Sequence, residues 1–238
     1  MMKVTTMQTL MTTANGADFW SPIRISLQVA ALSSIIVIII GTIIAWRMSR
    51  RSFVGKTFIE TILMLPLVLP PTVVGFLLLM LLGRKSRLGQ FIEWLFSEPI
   101  VFTWWAAVIA SIVVAFPLVY QTMKVGFSSV DRELEDAGRS IGANEWQVFR
   151  YITFPLIYRS FLTAYILGFA RALGEFGATL MIAGNIPGKT QTLPTAIYVA
   201  VDSGNMTMAW AWTGVMIFIS FLMLLLVGRK QGEENTGI

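Results

Sequence analysis

"DRELEDAGRSIGANEWQVFRYITFP" occupies residues 131–155 and holds five of the chain's thirteen acidic residues, three arginines and two glycines. The chain around it is 55% apolar and only 13% charged. Ser128 followed by Asp131 has the spacing of a capping box, which predicts a helix start. Within that helix Leu134, Ala137, Gly138 and Ile141 fall at i, i+3, i+4 and i+7, a narrow apolar stripe centred on small residues. The other positions are charged. Gly142 is expected to break the helix, and Asn144 or Ala143 to start another. In that second helix Trp146, Phe149 and Ile152 recur every three residues, and Pro155 is expected to end the module and open the fourth crossing. The predicted shape is two short amphipathic helices at an angle, with an exposed aromatic knob. Rigid helices transmit a push and apolar knobs fill a partner's groove, so the pattern reads as a docking element.

The surroundings decide what the element serves. A charged share of 13% is about half that of globular proteins, which points to a membrane protein. A helical crossing needs roughly 20 apolar residues. Charge-free runs extend from Ile25 to Trp46, Thr61 to Gly83, Pro99 to Met123 and Ser203 to Gly228, and a fifth apolar segment, about Ser160 to Gly184, is broken only by Arg171 and Glu175. The expectation is an all-α polytopic protein of about five transmembrane helices, one domain over 1–238 with its core at about 20–228. The first crossing reads as an uncleaved anchor. Eleven basic residues lie on the side of the 131–155 stretch and six on the other. The positive-inside rule then places the N-terminus outside, the C-terminus inside and the loop at about 125–155 in the cytoplasm.

Two features interrupt the apolar runs. "LPLVLPPTVVG" carries Pro66, Pro70 and Pro71, and proline kinks a helix by removing a hydrogen bond. The bend either shapes a pathway or serves packing. In "GFARALGEFGATLMIAG", Arg171 and Glu175 stand four apart on one helix face. A charge at membrane depth faces a partner or a wet cavity, so the two either neutralise each other or line a route. Between the second and third crossings Leu88, Phe91, Ile92, Leu95 and Phe96 mark an amphipathic helix for the outer interface. "GNIPGKTQTLP" reads as a short outer turn that could also meet a partner.

The chain has no cysteine and no histidine, which removes thiol chemistry, disulfides, imidazole acid–base catalysis and the usual metal ligands. A net charge of +5 is explained by topology-setting loops, so no nucleic-acid partner is expected. No G-x4-G-K-[ST] motif is present, so the chain carries no phosphate-binding loop of that type.

The 131–155 stretch resembles the coupling-loop signature of ABC importer permeases, EAA-x3-G-x9-I-x-L-P. Asp136, Ala137 and Gly138 take the acidic-Ala-Ala positions, Gly142 is the glycine, and Ile152 to Pro155 close the motif. Asp for Glu, Gly for the second Ala and Phe for Leu are its departures. Residues 168–198 and 65–76 resemble the molybdate branch of the type I importers, and the similarity runs from about Trp20 to Gly228. The core Ala170 to Ala178 is shared with sulfate and thiosulfate permeases.

The resemblance implies a permease, not an enzyme, that imports an oxyanion across the cytoplasmic membrane by alternating access. Molybdate is the expected cargo, with sulfate, thiosulfate or tungstate as alternatives. It implies a homodimer, two cytoplasmic ABC ATPase subunits that bind the ATP and Mg, and an extracytoplasmic oxyanion-binding protein. No cofactor is implied in this chain. The ATPase-coupling residues would be Asp136, Ala137, Gly138, Gly142, Ala143, Glu145, Trp146 and Phe149. Arg171 and Glu175 are the intramembrane pair or pathway candidates. The reading of a different kind is an ATPase-independent secondary transporter or channel.

Overall fold

The computed structural model describes the backbone over residues 2–232 and side chains over 19–225. Lys3, Arg229 and Lys230, counted above for orientation, have side chains outside that range. The elements run α1 (Met2–Arg50), α2 (Lys56–Val68), α3 (Pro71–Leu82), α4 (Arg87–Phe96), α5 (Trp104–Ser128), α6 (Arg132–Ser140) and α7 (Glu145–Val148). A π-helical turn (Phe149–Thr153) follows, then α8 (Phe154–Leu173), α9 (Gly177–Ala183), α10 (Leu193–Asp202) and α11 (Met206–Gly232). Four unbroken helices among the described residues are long and apolar enough to cross a membrane: Phe19–Arg50, Trp104–Ser128, Glu145–Leu173 and Met206–Leu225. The pair α2–α3 makes a fifth when taken as one crossing.

That pair is more than a kinked helix. Its axes bend by 115° at Leu69–Pro70. A residue before proline avoids the helical region, and Leu69 is extended at φ −70°, ψ 142°. Pro71 then occupies the first turn of α3, where its missing N–H costs nothing. Pro66 remains inside α2 without breaking it. The fourth crossing also differs from expectation. Its helix stops at Leu173, and Gly174–Phe176 separate it from the short α9. The ten-residue α10 was not anticipated, because it is too short to register as a crossing. The turn before it is tied down: the Ile186 carbonyl accepts from the N–H groups of Lys189, Thr190 and Gln191.

The α5 helix is the axis of the bundle. Its first half, through Ala106, Ala107, Ala110 and Val114, packs on Ile25 and Val29 of α1, Val74 of α3, and Ala178 and Ile182 of α9. Its second half, through Val119, Tyr120, Met123 and Phe127, packs on Val37, Ala45 and Met48 of α1 and on Ile157 and Ala164 of α8. Lipid is as apolar as leucine, so association between crossings depends on close packing of small residues. Gly75 is one such contact: a Cβ there would lie 2.7 Å from the Ala178 Cα. Large apolar side chains meanwhile face outward on α11, among them Ile217, Phe218, Phe221 and Leu224. The α4 helix forms where its periodicity predicts, leaving Leu88, Phe91, Leu95 and Phe96 exposed on its apolar face.

Candidate functional site

The stretch between α5 and α8 folds into a charged module. The cap of α6 is Asp131, not Ser128: the Glu133 N–H donates to Asp131 Oδ1 at 2.9 Å, while Ser128 ends α5. At the other end Gly142 sits at φ +93°. Its N–H donates to the Arg139 carbonyl at 3.0 Å, and the Ala143 N–H to the Gly138 carbonyl at 3.2 Å. This is a Schellman termination, which needs a left-handed residue. A Cβ on Gly142 would meet open space, so the backbone angle, not crowding, calls for glycine. Asn144 starts α7 with a capping box: its Oδ1 accepts from the Gln147 N–H at 2.9 Å, and Gln147 Oε1 from the Asn144 N–H at 2.8 Å.

The second helix is not a separate unit. From α7 it runs through the π-helical turn into α8, so one helical body extends from Glu145 to Leu173. Pro155 lies in the first turn of α8, as expected of a residue that opens the crossing, but no break separates it from the module. It has no N–H to donate and its ring crowds the turn before it, and the turn is widened there, with the Phe154 N–H reaching back to the Phe149 carbonyl. The stripe on α6 is split between two surfaces. Gly138 packs inward with Glu135, whereas Leu134 and Ile141 are 50% and 87% exposed and Ala137 is exposed beside them. Trp146, at 69%, adds to this apolar surface.

Charge holds the module together. Glu135 is 2% exposed. It forms an ion pair with Arg50 at the end of α1, and its Oε1 accepts from the Thr153 hydroxyl at 2.6 Å. One buried carboxylate thus joins α1, α6 and the start of α8. Arg139 ties the two helices of the module. Its Nη1 reaches Asp136 Oδ1 at 2.6 Å, and its Nε reaches Glu145 Oε1 at 2.7 Å. Hydrogen bonds to Glu145, then Asp136, hold the Arg139 guanidinium above its usual range. Aromatic rings continue the connection, with Phe149 stacked on Trp146 at 5.9 Å and edge-on to Trp46 at 6.0 Å. Asp136, Ala137, Gly138, Gly142, Ala143, Glu145, Trp146 and Phe149 therefore lie in one body. Arg50, Glu135, Thr153 and Trp46 belong to it as well and were missed. Glu135 is one more acid in a charged run, and its partner is 85 positions away.

Arg171 and Glu175 lie apart from this body, Arg171 about 25 Å along α8 from Phe154 at 1.5 Å per residue. Arg171 Nη1 is 2.7 Å from Glu175 Oε2, a charge contact whose angle falls outside hydrogen-bond alignment. The Glu175 side chain is 1% exposed and that of Arg171 29%. Glu175 Oε1 accepts from the Ala178 N–H at 2.8 Å and so satisfies a free donor at the start of α9. The pair closes the break between α8 and α9. Among the described residues no group of three or more His, Cys, Asp or Glu is arranged to hold a metal ion.

Residues 37–229 match the family described as binding-protein-dependent transport system inner membrane component. The chain is similar to YvgM of Bacillus subtilis (strain 168), whose name assigns it to molybdenum transport as a permease, at 58% identity over 94% of this chain and 99% of that protein. It is 43% identical to the molybdenum transport system permease protein ModB of Haemophilus influenzae, over 90% of this chain and 97% of that one. To the sulfate transport system permease cysT of Chlorella vulgaris it is 32% identical, over 87% and 77%. Among solved structures, a bacterial ABC transporter for the import of alginate shares the fold at TM-score 0.69 and 16% identity, covering 93% of this chain and 80% of that one.

Proposed function

The chain belongs to the family of binding-protein-dependent transport system inner membrane components, and on that premise we propose that it is the permease subunit of an ATP-driven importer that carries molybdate across the cytoplasmic membrane. It is a transport component and not an enzyme. Molybdate is preferred over sulfate because the relatives named for molybdenum are more similar to this chain than the one named for sulfate. The permease works as a homodimer with two ATPase subunits, which bind the ATP and Mg, and receives its anion from an extracytoplasmic binding protein.

One observation supports the mechanism above others: the module's exposed apolar surface is continuous with a crossing helix. Leu134, Ala137, Ile141 and Trp146 fill a groove on the ATPase. Closure of the ATPase pair then moves α7, and α8 moves with it because no loop intervenes to absorb the displacement. The Arg50–Glu135 pair carries α1 along. The break at Leu69–Pro70 is where the two segments of one crossing meet at 115°. Such a rigid-body switch needs only a difference in ATPase contact between the two states. Arg171 and Glu175 hold the break between α8 and α9 together and do not select the anion.

The test is reconstitution in liposomes with the ATPase and the binding protein. ATP-dependent molybdate uptake, competed by tungstate more strongly than by sulfate, is expected. Equal uptake by the permease without ATPase would make it a secondary transporter or channel. Stronger competition by sulfate or thiosulfate would reassign the anion.

A further inference from the structure

Beside the module a cavity of about 520 Å3 opens between the end of α1 and α6. Arg47 and Arg50 enter it from the last turn of α1, and Arg51 from the residue just past the helix end. Arg132, Glu135, Asp136 and Arg139 line it from α6 at i, i+3, i+4 and i+7, and Glu145 completes the charged lining. Five arginines thus meet three carboxylates, and all three carboxylates are committed. Glu135 serves Arg50, while Asp136 and Glu145 serve Arg139. Among the described residues Arg47 and Arg51 make no side-chain hydrogen bond or ion pair, and Arg132 reaches only the Ser49 carbonyl, at 3.5 Å. Arg50 Nε is buried without an acceptor. The fold therefore gathers three un-neutralised guanidinium groups around one cavity, beside a fourth with a spare donor. Repulsion among them is relieved by an anion with several acceptor oxygens, which planar guanidinium groups bind bidentately.

We propose that Arg47, Arg51 and Arg132 bind a tetrahedral oxyanion, in the membrane the phosphate of an acidic phospholipid headgroup. Trp46 lines the same cavity directly before the arginines, at the end of the apolar run of α1. Tryptophan collects at headgroup level, and basic pockets between crossings on the cytoplasmic side take anionic headgroups. The inference rests on the permease reading only for placing this face at the inner leaflet. A bound headgroup would bridge α1 and α6 next to Glu135, so lipid composition would set how firmly the module is held.

The test uses the complete complex in nanodiscs of phosphatidylethanolamine with or without phosphatidylglycerol. Native mass spectrometry counts the lipid retained, and ATPase rate is followed alongside. The wild type should retain phosphatidylglycerol and show faster ATP hydrolysis with it. R47Q/R51Q/R132Q should lose both, whereas R84Q/R87Q, in the basic cluster around α4, should lose neither. R51Q alone guards against misfolding, since the Arg51 side chain is exposed and makes no ion pair; it should weaken retention roughly fivefold. If orthophosphate or molybdate binds in zwitterionic discs and displaces phosphatidylglycerol, the source is a free oxyanion and the site stands. Equal retention of lipid and phosphate by wild type and triple variant overturns the site. So does protection of Arg51 and Arg132 by the ATPase surface from arginine-modifying reagent. Wild-type molybdate uptake is scored separately, so loss of the permease reading and loss of this site are distinguishable.

Discussion

Two buried carboxylates, Glu135 and Glu175, are each paired with an arginine, and they do different work. Glu175 pairs with Arg171 one turn before it and caps α9, so its role is finished within seven residues. Glu135 pairs with Arg50, 85 positions away, and also holds Thr153. The first bond keeps a broken crossing in one shape. The second lets three segments move as one body. A buried pair is weak evidence of net stability, because desolvation consumes much of the attraction. What it fixes is which segments stay together.

The comparison can be broken most directly at Glu135. Arg50→Met removes the nearer cation of a buried carboxylate, leaving only the more distant Arg139 at 3.7 Å, and should cost about 3 kcal/mol. Glu135→Met should do comparable damage, and the double Arg50→Met/Glu135→Met less than either single change. Thermal unfolding of the detergent-solubilised chain measures this, and additive costs in the double variant would refute the pairing as a structural link. At the other carboxylate, Glu175→Ala removes the cap of α9, about 0.5–2 kcal/mol for that contact, and leaves Arg171 unpaired. Glu175→Gln should be milder because its carbonyl can still accept from Ala178. Arg171→Met/Glu175→Gln should fold and transport with unchanged anion preference; a shifted molybdate-to-sulfate ratio would make the pair part of the route.

Smaller effects separate the module's shape from its contacts. Gly142→Asp forces a side chain onto φ +93°, a cost of about 1–2 kcal/mol. Membrane insertion should survive while ATPase association and uptake are lost, and normal uptake would sink the docking reading. Trp146→Ala should change stability by about 0.5 kcal/mol or less, since the side chain is mostly exposed. Pull-down with the ATPase should nonetheless fall sharply. Retained association would place the docking surface elsewhere, on Leu134 and Ile141.

Much of this was legible in the residues. The apolar runs located the crossings, because length and charge alone limit what can lie in hydrocarbon. Gly142 and Asn144 announced a helix end and a helix start, since both act through backbone groups within a few positions. Arg171 and Glu175 announced their contact by spacing. Elsewhere local rules competed. Ser128 and Asp131 both suit a cap, and the long α5 claimed Ser128. The stripe on α6 does not act as one surface: Gly138 packs inward beside Glu135, which found a cation, and Leu134 and Ile141 were left outside. Pro155 looked like a stop, but widening a single turn accommodates it.

The sequence by itself determined an all-helical membrane chain, the position of its charged module and the glycine that turns it, because hydrophobic length and backbone angle are local quantities. Only the tertiary structure decided which arginine neutralises Glu135, how sharply α3 turns from α2, and that α7 and α8 are one body. Those outcomes depend on segments far apart in the chain being packed against the same helix, α5, and no spacing along the sequence encodes that proximity.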